Sequence, residues 1–210
     1  MRPEIKICGL TREEDVTLCI RLGADYLGLN FVPSSPRCLD LDRAQRLAAA
    51  ARAAGPTLLV GIFANEDPAR VQEVSEVVGL DLLQFHGDES VEQIAPFFSR
   101  AIKAFRRPRL PLEDELSPYS NAFALLFDAF HPTQLGGTGE SWDFAALAPL
   151  ARADRRLFVA GGMSPENAHA AFLASCATGL DVCSRVESAP GIKDSVKLES
   201  LFSRLKSEAR

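Results

Sequence analysis

Residues 57–87, "TLLVGIFANEDPARVQEVSEVVGLDLLQFHG", carry the reading that decides the fold. An apolar run, TLLVGIF (57–63), gives way to DPARVQEVSEVVG (67–79), whose apolar residues recur at helical spacing behind an N-cap candidate, Asp67. A second apolar run, LLQFHG (82–87), follows. Both runs are short and mostly apolar, as strands covered on both faces should be, so the stretch reads as strand, crossover helix and strand of a parallel sheet.

The same alternation extends in both directions. Strand candidates are 4–10, 25–31, 57–63, 82–87, 101–106, 122–130, 156–162 and 179–185. Between them lie REEDVTLCIRLG, LDRAQRLAAAARAAG, DPARVQEVSEVVG, SVEQIAPFFS, DFAALAPLARA and SPENAHAAFLAS, and DSVKLESLFSRLKSEAR closes the chain. Thr11, Asp67, Ser90, Ser164 and Asp194 are N-cap candidates. RPRLPLEDELSPYSN, after the fifth run, holds three prolines and is a poor helix. Eight βα units within 210 residues predict one domain over 1–210, an α/β fold of the (β/α)₈ TIM-barrel type, with a doubly wound open sheet as the alternative.

Composition narrows the function. The chain is 47% hydrophobic with a net charge of −5, which offers no basic surface for nucleic acid. No stretch approaches the length of a membrane span, and the N-terminus lacks the apolar core of a secretory signal, so a cytoplasmic location is expected. The five cysteines lack paired CxxC spacing and the three histidines fall in separate segments. Neither a disulfide framework nor a metal site is expected.

A barrel of this type builds its active site at the carboxyl ends of its strands. Cys8 ends the first run, Asn30 the second, Gln84 and His86 the fourth and Asp128 the sixth. Lys103 and Arg106 lie in or after the fifth, and Asp181 and Arg185 flank the eighth. The loops AGGMSPEN and CSRVESAPGIKD follow the last two runs. Gly161 and Gly162 there let backbone N–H groups approach an anion, so the two loops together suggest a phosphate site that includes Ser184. A cysteine in an apolar strand is usually a small hydrophobe, and Cys8 is set apart by its place at the strand's end.

KICGLTREEDV, GADYLGLNFVPSSPR, LLQFHGDES, FDAF followed by GGTGESWDF, LFVAGGMSPENA and VESAPGIKD occur in this order, and together they resemble phosphoribosylanthranilate isomerase of tryptophan biosynthesis. The resemblance implies a (β/α)₈ barrel. It also implies an Amadori rearrangement of N-(5-phosphoribosyl)anthranilate to the carboxyphenylamino-deoxyribulose phosphate, without cofactor or metal. Carried over by motif, Cys8 is the general base and Asp128 the general acid, and Arg37 of SPR grips the anthranilate carboxylate. Gln84, His86 and Gly137 belong to the substrate site, with Gly161, Gly162, Asp181, Ser184 and Arg185 at the phosphate end. The chemistry needs such a pair, because the furanose oxygen must gain a proton and C2 must lose one. The apolar neighbours of Asp128 in FALLFDAF are expected to surround its carboxyl. A histidine at position 86 could equally satisfy a buried loop carbonyl.

One departure stands out: members of the family commonly read DVSSGVE where this chain has DVCSRVE, so Cys183 replaces a serine and Arg185 a glycine. Arg185 either strains a glycine position or adds a charge-assisted contact to phosphate, and the contact is expected. Cys19, Cys38 and Cys176 read as structural. The expected partner is a small phosphorylated substrate bound by a monomer or homodimer. Another phosphosugar enzyme on this barrel and a non-catalytic phosphate-binding barrel are the rival readings.

Overall fold

The computed structural model describes residues 2–106, 110–128 and 143–207. Eight parallel strands close a barrel in chain order: β1 (Glu4–Ile7), β2 (Tyr26–Asn30), β3 (Leu58–Phe63), β4 (Leu82–Phe85), β5 (Ala101–Phe105), β6 (Ala124–Asp128), β7 (Leu157–Ala160) and β8 (Gly179–Val182). β8 pairs back onto β1, with Lys6 beside Asp181 and Ile7 beside Val182. Every expected strand is present, shorter than expected within the described residues. Closure removes the open-sheet alternative.

Alternation along each strand sorts side chains into two layers. Tyr26, Val60, Leu82, Ile102, Leu126 and Phe158 cluster inside the barrel, where the Tyr26 and Phe158 rings meet edge to face at 5.3 Å. Ile7, Leu27, Leu29, Leu83, Phe127 and Leu180 face the other way, into the core beneath the helices. Toward the carboxyl ends of β2, β4, β6 and β8 the interior positions turn polar, with Asn30, Gln84, Asp128 and Asp181, and there the site forms.

The helices are α1 (Glu13–Leu22), α2 (Leu41–Ala54), α3 (Pro68–Val78), α4 (Val91–Ile94), α5 (Glu113–Leu116), α6 (Ala168–Ser175) and α7 (Ser195–Ser207). Asp67 accepts the Ala69 N–H at 2.7 Å ahead of α3, with Pro68 at its first position. Ser90 and Gln93 form a reciprocal capping box on α4. Asp194 accepts from the Val196 and Lys197 N–H groups at the head of α7. Thr11 is no cap: α1 starts after Arg12, and the Thr11 hydroxyl donates instead to the Gly191 carbonyl at 2.5 Å. Ser164 accepts from Glu166 N–H in the turn before α6, whose N-cap residue is Asn167.

Where an α-helix was expected at DFAALAPLARA, residues 144–150 form a 3₁₀ helix containing Pro149. Proline removes an N–H donor that an α-helix would use. SVEQIAPFFS likewise passes from α4 into a 3₁₀ helix over 95–100, with Pro96 near its start. Among its described residues, the proline-rich segment after β5 forms the single turn α5 and a 3₁₀ turn at 117–119. A hairpin of β9 (Glu187–Ala189) and β10 (Ile192–Lys193) was not expected. Its cue was in the sequence, since Pro190–Gly191 suits the centre of a tight turn and Gly191 has φ +81°. No helix of the described residues is long and apolar enough to cross a membrane.

Candidate active site

The β1–β8 wall carries the first group of polar side chains. Cys8 follows β1, its N–H donating to the Val182 carbonyl at 2.9 Å, and it is partly exposed at the barrel mouth. Two residues earlier on the same interior face, Lys6 is fully buried and donates to Asp181 Oδ1 at 2.9 Å. Against the effect of burial, the charges of Asp181 and of Cys8 raise the Lys6 ammonium above its ordinary range. Burial of an ammonium is costly unless it is paired, and here the partner is the neighbouring strand's carboxylate.

The register of β1 on β8, carried one residue past Ile7 and Val182, sets the Cys8 and Cys183 thiols side by side. Their interaction draws the Cys8 thiol below its ordinary range; burial opposes the shift, the charges of Lys6 and Lys193 reinforce it, and Asp181 works against it. The same interaction, with burial, pushes the Cys183 thiol up. Gly28 on β2 leaves the room this needs, because a Cβ there would stand 3.0 Å from the Cys8 sulfur.

Arg37 lies across Gly9, whose φ is +74° and whose added Cβ would meet the Arg37 Cδ at 2.4 Å. Both facts require glycine. The guanidinium pairs side-on with Glu187, Nε to Oε1 at 2.9 Å and Nη2 to Oε2 at 2.5 Å. Lys193 joins the same carboxylate at 2.9 Å and donates also to the Cys8 carbonyl at 2.6 Å and the Cys183 carbonyl at 3.2 Å. Burial would raise the Glu187 carboxyl, but Arg37 and Lys193 together hold it below the usual carboxylate range.

On the far side of the mouth, Asp128 ends β6 with His86 Nε2 3.4 Å from its Oδ2. The Gln84 side-chain amide is hydrogen-bonded to His86 Nδ1 at 2.8 Å, which fixes the imidazole with Nε2 toward the carboxylate. Of the apolar sequence neighbours expected to surround Asp128, Ala129 and Phe130 lie outside the described residues. Phe127 points outward into the helix-side core, as the two-residue period of a strand demands, and the neighbour of Asp128 is an imidazole.

Gly161 and Gly162, after β7, have φ of +92° and +68°. Asn167 ties this loop by donating to the Gly162 carbonyl at 3.0 Å and accepting the Ser164 N–H at 2.8 Å. After β8, Ser184 and Arg185 are exposed in a 3₁₀ turn. Among the described residues the non-glycine left-handed positions are Asn65 and Cys176, so Arg185 bears no glycine-type strain. A 3₁₀ turn asks only for the negative φ that any residue adopts.

A model of the N-(5'-phosphoribosyl)anthranilate isomerase family matches residues 5–204. The chain is 42% identical over 196 residues to the N-(5'-phosphoribosyl)anthranilate isomerase of Cellvibrio japonicus, covering 92% of this chain and 89% of the relative. The chain belongs to the phosphoribosylanthranilate isomerase family. Solved members superpose on it. The Thermus thermophilus enzyme does so with a TM-score of 0.83 at 39% identity, covering 99% of this chain and 100% of that one. A phosphoribosylanthranilate isomerase in complex with reduced 1-(o-carboxyphenylamino)-1-deoxyribulose 5-phosphate has a TM-score of 0.80 at 30% identity, covering 98% and 99%.

In this member of the family, Cys8, Arg37, Asp181, Ser184 and Arg185 fall on or beside the β1–β8 wall, Gln84, His86 and Asp128 on the β4–β6 side, and Gly161 and Gly162 after β7. Gly137 lies outside the described residues, as do His131, Gly136 and Gly139. Lys103 leaves the site: it is buried outside the barrel interior, bound to Glu89 at 2.7 Å and to the Gly87 carbonyl. Sequence reasoning missed Lys6, Gly28, Glu187 and Lys193. Lys6 was findable, because a residue two before Cys8 on a strand shares its face. Glu187 and Lys193 stand in the quoted motif VESAPGIKD, from which only small residues and a helix start were read.

Proposed function

We propose that the chain catalyses the Amadori rearrangement of N-(5-phosphoribosyl)anthranilate to 1-(2-carboxyphenylamino)-1-deoxyribulose 5-phosphate in tryptophan biosynthesis, with Cys8 as general base and Asp128 as general acid. One observation carries the assignment of roles: a thiol stands just past the end of β1, on the face it shares with Lys6, and a carboxyl beside an imidazole stands across the mouth at the end of β6. Asp128 protonates the furanose oxygen as the ring opens. The Cys8 thiolate removes the C2 proton, and the enolamine formed becomes the ketone. His86, held by Gln84, orients the Asp128 carboxyl.

Arg37 receives the anthranilate carboxylate, held in place from behind by Glu187. The N–H groups around Gly161, Gly162 and Ser184 take the phosphate, with Arg185 adding charge from the rim. Asp181 acts from beneath, as the counter-ion of Lys6. In this reading residues 1–210 form one domain, cytoplasmic, working as a monomer or homodimer on a small phosphorylated substrate. The test is complementation: expression should restore growth without tryptophan to an auxotroph lacking this isomerase. Failure by a stably expressed chain would remove the proposal.

A further inference from the structure

The base role given to Cys8 uses one thiol, yet two stand side by side. The register of β1 on β8 sets Cys8 next to Cys183, and Lys193 Nζ ties their two carbonyls together at 2.6 Å and 3.2 Å. Glycines border the pair. A Cβ on Gly28 would come within 3.0 Å of the Cys8 sulfur, and one on Gly9 within 3.2 Å of the Cys183 sulfur. These neighbours therefore bring no side-chain donor to compete with Cys183.

The charged groups facing the pair come from each element packed against it. Lys6 and Asp181 lie below, on β1 and β8. Lys193 comes from β10, Arg37 from the loop between β2 and α2, and Glu187 from β9. Among the described residues this gives three cations and two carboxylates. One thiolate balances the cluster, and a second would overdraw it. Lys6 shares the interior face of β1 with Cys8, two residues before it, so the charge balance places the thiolate on Cys8 and leaves the proton on Cys183.

We propose that Cys183 is a positioning residue for Cys8, its S–H donating to the Cys8 sulfur and holding it, as the anion, in line for the substrate proton. This rests on the reading of Cys8 as base. The opposed shifts of the two thiols, Cys8 down and Cys183 up, accord with it. A hydroxyl at position 183 can make the same donation, whereas a methyl or isopropyl group cannot.

The experiment measures the pH dependence of Cys8 alkylation by iodoacetamide. It uses the full chain after reduction, with the modified peptide quantified by mass spectrometry, and compares wild type with Cys183→Ser, Cys183→Ala and Cys183→Val. Serine should keep the half-point of alkylation near that of wild type. Alanine and valine should both raise it by about one pH unit, with the acid limb of kcat moving in step. The valine variant preserves bulk should alanine loosen the fold. Unchanged half-points in the donorless variants overturn the proposal, and so does a serine variant that behaves like alanine. Alkylation reads the thiol and not turnover, so a failure of the base role would appear separately, as undiminished activity in Cys8→Ala.

Discussion

Arg37 and Glu187, 150 residues apart in the chain, meet side-on through two hydrogen bonds of 2.9 Å and 2.5 Å. The pair engages Nε and Nη2 and leaves Nη1 outside it. A ligand carboxylate arriving there finds the arginine already oriented. Arg37→Ala should therefore raise KM more than it lowers kcat, with a cost of about 1.5–3 kcal/mol in kcat/KM. Arg37→Lys should not restore it, since an ammonium cannot hold Glu187 side-on and offer a second planar face. Steady-state kinetics check this, and unchanged KM would leave Arg37 as a partner of Glu187 only.

Glu187 carries a pH-dependent share of stability. Its folded-state carboxyl is held below its ordinary value by Arg37 and Lys193, so it stabilises the fold above the ordinary carboxylate range. That share is lost as pH falls through the depressed value. Glu187→Gln should destabilise the neutral protein by about 3 kcal/mol, because two cations lose their partner. The difference from wild type should shrink in acid. Urea unfolding at both ends of the range measures it, and a gap independent of pH would refute the linkage.

Lys6 and Asp181 make a closed pair inside the barrel. Lys6→Met strands the carboxylate and should cost about 3–5 kcal/mol in unfolding free energy. Combining it with Asp181→Leu should recover most of that loss, although not the state of Cys8. Additive losses in the double variant would mean that the two do not act as a pair.

Arg185 is exposed and its backbone is unstrained. Arg185→Gly thus removes a charge without relieving strain, and product binding should weaken with a flatter salt dependence. Calorimetric titration at two salt concentrations decides it. Equal or tighter binding by the glycine variant would remove Arg185 from the phosphate end.

The barrel was legible because eight apolar runs and their helical spacers are local patterns. The places of Cys8 and Asp128 at the mouth were legible because a strand's last interior residue must open on the mouth. Partnership was not legible. Lys6 and Asp181 are 175 residues apart and become neighbours only when β8 closes on β1. The same closure brings Cys183 to Cys8 and Glu187 to Arg37. Phe127, next to Asp128 in sequence, adds nothing to its surround because a strand sends alternate side chains to opposite faces. At DFAALAPLARA the helical spacing was real, and Pro149 turned it into a 3₁₀ helix.

The turnover number of Cys8→Ala on N-(5-phosphoribosyl)anthranilate, with product binding measured alongside, tests the account most directly. Loss of a positioned general base should lower kcat by about 10²–10⁴-fold while product affinity changes little. A variant that keeps more than half of wild-type turnover would contradict the assignment of Cys8 as base.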